Sequence, residues 1–447
     1  MNNVQKEIKK QPLVLTANSL CTRVKHFSVP ITTTFIATLI LIAAFLSLYA
    51  TPLAQSATPT TTLTGDPLLQ SMLWKYTPSN GVYAPPTVVN GIVYLNSEIH
   101  GQVSALNATT GTNIWTYNNY IINVIHGSPA VADGRIYVLT QVSFWVLNAT
   151  DSTELWSLPL GGLSTPVVVD GIVYFSSRHS YDGAQGSCVF AFNAIDGTKL
   201  WHYAIPGGSG GISSSPAVVG GVVYVGADNN NVYALDAKSG RVLWHFATGD
   251  PVGSSPAVVD GIVYVGSGDH CIYALNATTG KKVWNYQTGG GVSSSPAVVD
   301  GVVYVGSEDH TVYAIDTADG KKLWSYTTGD IVVSSPAVAG GVVYVSSCDG
   351  NFYFLDATIG KKLWSTFEYG DGYASPRVVD GVLYICANFN LYAFNALNGS
   401  SNSPAPSDSP APSDSPAYIF IVIGVIVGGS SIIVGTHFLK TRRRIIQ

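Results

Sequence analysis

The sequence predicts an all-β chain folded as an eight-bladed β-propeller, each blade a four-stranded antiparallel sheet. Three observations predict it. A two-residue turn recurs eight times, a tryptophan recurs eight times at a near-constant interval, and the two ends of the array are complementary fragments of one blade. Self-similarity at about 40 residues with four strands per unit is the signature of this architecture.

The stretch Ser294 to Trp324 shows the unit. Pro296 to Val299 and Val302 to Val305 are β-branched runs split by Asp300-Gly301. An Asp-Gly pair in that setting predicts a type I′ hairpin, which needs positive φ at both central residues. A polar loop follows at Gly306 to His310, then a third run at Val312 to Ile315. A turn over Asp316 to Gly320 leads to a fourth strand around Leu323 to Tyr326.

The turn recurs as Asn90-Gly91, Asp133-Gly134, Asp170-Gly171, Gly220-Gly221, Asp260-Gly261, Asp300-Gly301, Gly340-Gly341 and Asp380-Gly381. The tryptophan recurs as Trp74, Trp115, Trp156, Trp201, Trp244, Trp284, Trp324 and Trp364, at spacings of 41, 41, 45, 43, 40, 40 and 40. The eighth unit runs out after Leu391 to Phe394 and has no fourth strand of its own. Trp74 lies in a fourth strand with no blade before it. The N-terminal strand is therefore expected to complete the last blade and close the ring, which removes free sheet edges.

Length alone, 447 residues, would suggest two or three domains, but the repeat assigns residues 68–399 to one ring. Charged residues are only 11% of the chain, as expected of strands buried between neighbouring blades. Residues 66–399 hold 24 acidic and 13 basic side chains, a net of −11. Such a ring excludes nucleic acid as a partner, because that binding rests on basic surface. A monomer is expected.

Residues 1–57 hold Lys6, Lys9, Lys10, Arg23 and Lys25, then an apolar run from Phe35 to Tyr49. The run reads either as a membrane anchor or as a signal peptide cleaved within Leu53 to Ala57. Residues 400–417 repeat SPAPSD and read as an extended stalk. Residues 418–439 are long and apolar enough for a spanning helix, and the tail at 440–447 contains Lys440, Arg442, Arg443 and Arg444. The positive-inside rule puts that tail in the cytoplasm and the ring outside the cell membrane. No lipid-attachment motif precedes a cysteine, so an archaeal or Gram-positive envelope is expected.

Sequons occur at Asn107, Asn148, Asn276 and Asn398, all in the turn before the fourth strand. Each is either a glycosylation site or an Asn that caps the turn through its side chain. The five cysteines make no framework. Cys348 and Cys386, in adjacent blades, are not expected to bridge. No metal-ligand spacing occurs, and neither metal nor cofactor is expected.

Seven copies share a pattern seen in Ala234-Leu-Asp236-Ala-Lys-Ser-Gly240-Arg-Val-Leu-Trp244 and Ala314-Ile-Asp316-Thr-Ala-Asp-Gly320-Lys-Lys-Leu-Trp324. Small Ala would admit a neighbouring ring, Asp would cap the turn, Gly would take positive φ, and Trp would wedge between blades. The pattern departs at Val146, Ser152 and Phe354. It resembles the tryptophan-docking motif of quinoprotein propellers, the PQQ-like repeat, over the whole ring. That family includes PQQ-dependent dehydrogenases, which hold the quinone at the ring centre with Ca²⁺, a catalytic Asp and a disulfide of adjacent cysteines. It also includes non-catalytic members similar to the scaffold lipoprotein of the outer-membrane barrel-assembly machinery and to archaeal surface proteins. This chain has no adjacent cysteines and no long insertions. The resemblance therefore implies the non-catalytic branch, with a PQQ-dependent oxidoreductase as the alternative.

In this family the ligand face holds the loops from fourth to next first strand and from second to third strand. It would carry Asp250, Ser254, Ser255, Ser294, Ser295, Asp330, Ser334 and Ser335. Asp269-His270 and Glu308-Asp309-His310 lie there too, and their recurrence favours turn chemistry over catalysis. Arg178, His179, Tyr373 and Arg377 break the repeat and are the better candidates for ligand contact. The paired lysines 281/282, 321/322 and 361/362 form a basic arc on the opposite face. The expectation is a membrane-anchored extracellular ring that binds a protein or glycan through this face and catalyses nothing.

Overall fold

The computed structural model describes residues 71–396, apart from 80, 83, 98–100, 119–126, 178–185, 208–211 and 367–371. Among the described residues, 32 strands form eight four-stranded sheets, all antiparallel. The sixth blade consists of Ala297–Val299, Val302–Gly306, Thr311–Asp316 and Lys322–Thr327. Met72–Tyr76 pairs with Asn390–Asn395, so the first strand is the fourth strand of the last blade and the ring closes as expected.

Every two-residue turn has the geometry that its sequence demands. Asp300 and Gly301 sit at φ 49° and 76°, Asn90 and Gly91 at 51° and 73°, and the other six pairs are positive at both positions. The type I′ twist matches the right-handed twist of the flanking strands.

The second and third strands are buried along nearly their whole length, whereas the fourth alternates. Between third and fourth strands every blade has a one-residue bulge. Ala234 pairs with Trp244 and Leu235 with Val242, which leaves Leu243 unpaired. The residue bulged out is the one before each tryptophan: Leu73, Ile114, Leu155, Leu200, Leu243, Val283, Leu323 and Leu363, all exposed. A bulge adds twist to an edge strand and resets which face its side chains take, so it aims Trp inward and bends the outer edge away from pairing.

Each tryptophan docks on the next blade. The indole Nε1 of Trp244 donates to Ala277 O at 2.9 Å, and Trp74, Trp115, Trp201, Trp284 and Trp324 make the equivalent bond at 2.8–3.1 Å. A tyrosine of the second strand shares the acceptor: Tyr224 Oη donates to Ala277 O, Tyr174 to Ala237 O and Tyr304 to Ala357 O. One carbonyl thus receives two donors from the preceding blade.

The motif glycine has two reasons to be glycine. Gly320 sits at φ 72°, and a Cβ there would lie 2.8 Å from the Trp284 ring. The same contact holds Gly111 under Trp74 and Gly360 under Trp324. The position that admits a neighbour's ring is therefore Gly. The motif Ala faces the tryptophan of its own blade in register, which corrects the role expected for it. Blade 2 is the weak joint. Ser152 holds the left-handed position at φ 61°, and the buried Nε1 of Trp156 has no partner.

Gly320→Ala should therefore cost about 2–4 kcal/mol, combining left-handed strain with a clash on Trp284. Ser152→Gly should gain about 1 kcal/mol by relieving strain alone. Denaturant midpoints of the two variants check both signs.

Candidate functional site

The loop face is built from two kinds of residue, those that repeat and those that do not. The repeating carboxylates belong to the scaffold. Asp309 Oδ2 accepts the Gly289 N–H at 2.7 Å and the Tyr313 hydroxyl at 2.6 Å. Asp269 does the same with Gly249 and Tyr273, and Asp349 with Gly329 and Tyr353. Each Asp ties the loop leaving a fourth strand to the loop between second and third strands of the next blade. Burial, then the hydrogen bond to Asp, raises the pKa of Tyr273, Tyr313 and Tyr353. Burial works to raise the pKa of Asp349, but hydrogen bonds from Tyr353 and from the Asn351 and Gly329 N–H groups outweigh it and hold the carboxyl low.

The repeating histidines also have a backbone reason. His270 and His310 sit at φ 67° and 69°, where blade 7 has Gly350 at 84° and blade 4 has Asn230 at 63°. They fill the left-handed position of a turn. His310 Nε2 lies 3.8 Å from Asp330 Oδ1. Glu308 Oε1 accepts the Ser293 hydroxyl at 2.5 Å. The Asn sequons make turn contacts as well, with Asn107 Oδ1 accepting the Thr109 and Thr110 N–H groups and Asn276 Oδ1 those of Thr278 and Thr279. Asn148 accepts the Thr150 N–H; Asn398 lies outside the described residues.

In blades 4 to 7 two serines precede the proline, and they divide the work. Ser254 is fully buried, and its hydroxyl both receives the Gly266 N–H and donates to Gly266 O, clamping the first strand to the end of the second. The hydroxyl of the second residue reaches back to the preceding blade and accepts a backbone N–H there. Ser215 N–H donates to Ser255 Oγ, Ser255 to Ser295, Ser295 to Ser335 and Ser335 to Ser375, all at 2.8–3.0 Å. Ser128 to Thr165 and Thr165 to Ser215 extend the series. The sequence placed these serines on the ligand face but did not show the ladder, because its bonds join residues about 40 positions apart. The exact recurrence of Ser-Ser-Pro was the available signal.

The ladder circles the propeller axis. A cavity of about 420 Å³ opens there, lined by Thr165, Ser215, Ser255, Ser295, Ser335 and Ser375 with Pro85 and Arg377. Arg377 is the repeat-breaking candidate that the structure places in this opening, exposed at the start of a first strand where the other blades have Ala, Val or, in blade 1, Thr87. Tyr373 is 72% exposed on the same segment. Arg178 and His179 lie outside the described residues, as do the terminal segments expected to meet the membrane. Among the described residues no helix is long and apolar enough to cross a membrane, and Cys188, Cys271, Cys348 and Cys386 are thiols.

Comparison with known proteins gives one family. The profile described as outer membrane protein assembly factor BamB matches residues 70–121, 99–217, 185–294 and 287–415. The assembly factor BamB of Burkholderia pseudomallei is 28% identical over 160 residues, 33% of this chain and 42% of that protein. A quinohemoprotein alcohol dehydrogenase of Comamonas testosteroni is 30% identical over 159 residues, 30% of this chain and 22% of that protein. The chain thus aligns with less than half the length of these relatives. Among solved structures, BamB from Moraxella catarrhalis superposes with a TM-score of 0.62 at 18% identity, covering 72% of this chain and 99% of that one. That likeness concerns the fold. The assembly-factor relatives lend no support to the archaeal or Gram-positive envelope expected above.

The Asp349 network sets an acid limit. Its carboxyl titrates below the unfolded value of about 3.9, so its contribution is present above that pH and lost as pH falls through the folded pKa. The thermal midpoint should drop as pH falls below about 4, and Asp349→Asn should flatten that part of the profile.

Proposed function

The chain belongs to the family of the outer membrane protein assembly factor BamB, and on that basis we propose that it is a non-catalytic propeller scaffold that docks a protein partner in the assembly of envelope membrane proteins. Family membership across the whole ring is the observation that carries this reading. The loop face supports it. Its repeating carboxylates are engaged with Tyr and Gly groups of the scaffold, and the repeat-breaking Tyr373 and Arg377 lie exposed on one segment of the last blade, where a loop can carry specificity. The apolar segment 418–439 would hold the ring at the membrane surface, with residues 400–417 as the stalk.

A quinone held with Ca²⁺ at the ring centre does not fit the axial lining. Ca²⁺ takes carboxylate and carbonyl oxygens. Among the described residues the lining offers neutral hydroxyls and one guanidinium, that of Arg377. No carboxylate among the described lining residues supports the oxidoreductase alternative.

Site-specific photocrosslinkers at Tyr373 and Glu308, with Lys361 on the opposite face as the control, test the reading in the native host. Crosslinks to a membrane-protein assembly component from the loop face only, together with lowered levels of folded envelope proteins when the chain is deleted, are the expected result. Equal capture at Lys361, unchanged envelope proteins, or dye reduction by the purified chain with PQQ and Ca²⁺ would overturn it.

A further inference from the structure

The axial opening gathers hydrogen-bond donors that the scaffold does not use. Each ladder hydroxyl from Thr165 to Ser375 receives one backbone N–H from the preceding blade, so its oxygen is fixed and one lone pair is engaged. Among the described residues, none of these six hydroxyls donates its own proton to a protein acceptor. The protons remain for whatever occupies the axis.

The ladder also has a break. Blade 1 places Pro85 where the other blades have Ser or Thr. Proline has no hydroxyl to receive the Ser375 N–H and no N–H to pass on to Ser128. The Ser375 N–H therefore ends the series without the acceptor that every earlier member has. Two residues on, Arg377 lines the same cavity, in the place that Ala217, Ala257, Ala297 and Ala337 take elsewhere. A guanidinium, an unmatched amide N–H and a set of hydroxyl protons thus share an opening of about 420 Å³. Among the described residues no carboxylate lines it, although the ring as a whole has a net charge of −11.

We propose that this opening is an oxyanion site that takes the carboxylate or phosphate group of a small ligand, seated between Arg377 and the Ser375 N–H. Charge-assisted hydrogen bonds from a guanidinium and a backbone N–H are the strong donors for such a group. A cation is disfavoured by Arg377. A neutral sugar would lack an aromatic platform, since prolines, Ala337 and the valines supply the apolar lining.

Calorimetric titration of the detergent-purified full chain with citrate, inorganic phosphate and glucose tests this independently of the scaffold reading. Saturable binding of at least one anion and none of glucose is expected, and citrate against phosphate separates a carboxylate ligand from a phosphate one. Arg377→Ala should weaken binding about tenfold or more, and Arg377→Lys less. Pro85→Ser gives the Ser375 N–H an acceptor and should weaken binding with Arg377 intact. Tryptophan fluorescence melts confirm that each variant is folded. Failure of both anions to bind, equal binding of glucose, or wild-type affinity in folded Arg377→Ala or Pro85→Ser would overturn the site.

Discussion

The ring depends on one contact made again and again: a tryptophan of one blade laid on the turn of the next. The indole covers a glycine that can have no Cβ, and its N–H meets a carbonyl that a tyrosine of the same blade also uses. A single such hydrogen bond is worth about 1 kcal/mol net. The aromatic area buried around it is worth more, and neither exists until the neighbouring blade is in place. Stability is therefore shared between neighbours, and a blade has no tryptophan seat of its own. An open array would leave one tryptophan without a turn and one turn without a tryptophan. Trp74 on the Ala108 turn removes both ends at once.

The parts of this arrangement that were legible in the sequence are those fixed by local backbone chemistry. Asp300-Gly301 demands positive φ twice, and the structure has it twice. The spacing of tryptophans gave blade number, and the orphan strand at Trp74 gave the closure. Two features were not legible. The bulge before each tryptophan is invisible in composition, because Leu243 looks like any apolar strand residue until its lack of a partner in the ladder is known. The serine ladder joins residues a whole blade apart, so a reading of one repeat saw only a hydroxyl at a strand start. The histidines show the reverse case. Imidazole invites a catalytic reading, but their recurrence pointed to turn chemistry, and position 310 sits in a left-handed turn that Gly350 and Asn230 fill equally well.

A symmetric ring offers eight equivalent seats and so no particular one. Function has to come from where the repeat is broken. Blade 2 breaks it at Ser152 and Trp156, with a cost in strain and in an unpaired N–H. Blades 8 and 1 break it at Arg377 and Pro85, which face the axis together at the seam where the chain closes. Closure by the first strand makes that seam the one place where residues from opposite ends of the ring sequence meet, so a departure there has no copy elsewhere.

The charge of the ring follows the same division. An acidic surface ordinarily repels an anion, and the net charge of this ring is strongly negative. The carboxylates nearest the loop face are not free to set the field at the axis, however. Asp269, Asp309 and Asp349 each accept a tyrosine O–H and a glycine N–H, which anchors their carboxylates at the blade joints rather than in the axial lining. Field from such partnered groups falls off quickly in water and salt. Arg377 stands in a concave lining of neutral hydroxyls, where low-dielectric walls keep its own field in the opening. The periodic acidic groups thus stabilise the ring, and the aperiodic Arg377 is the cation among the described residues that line its centre.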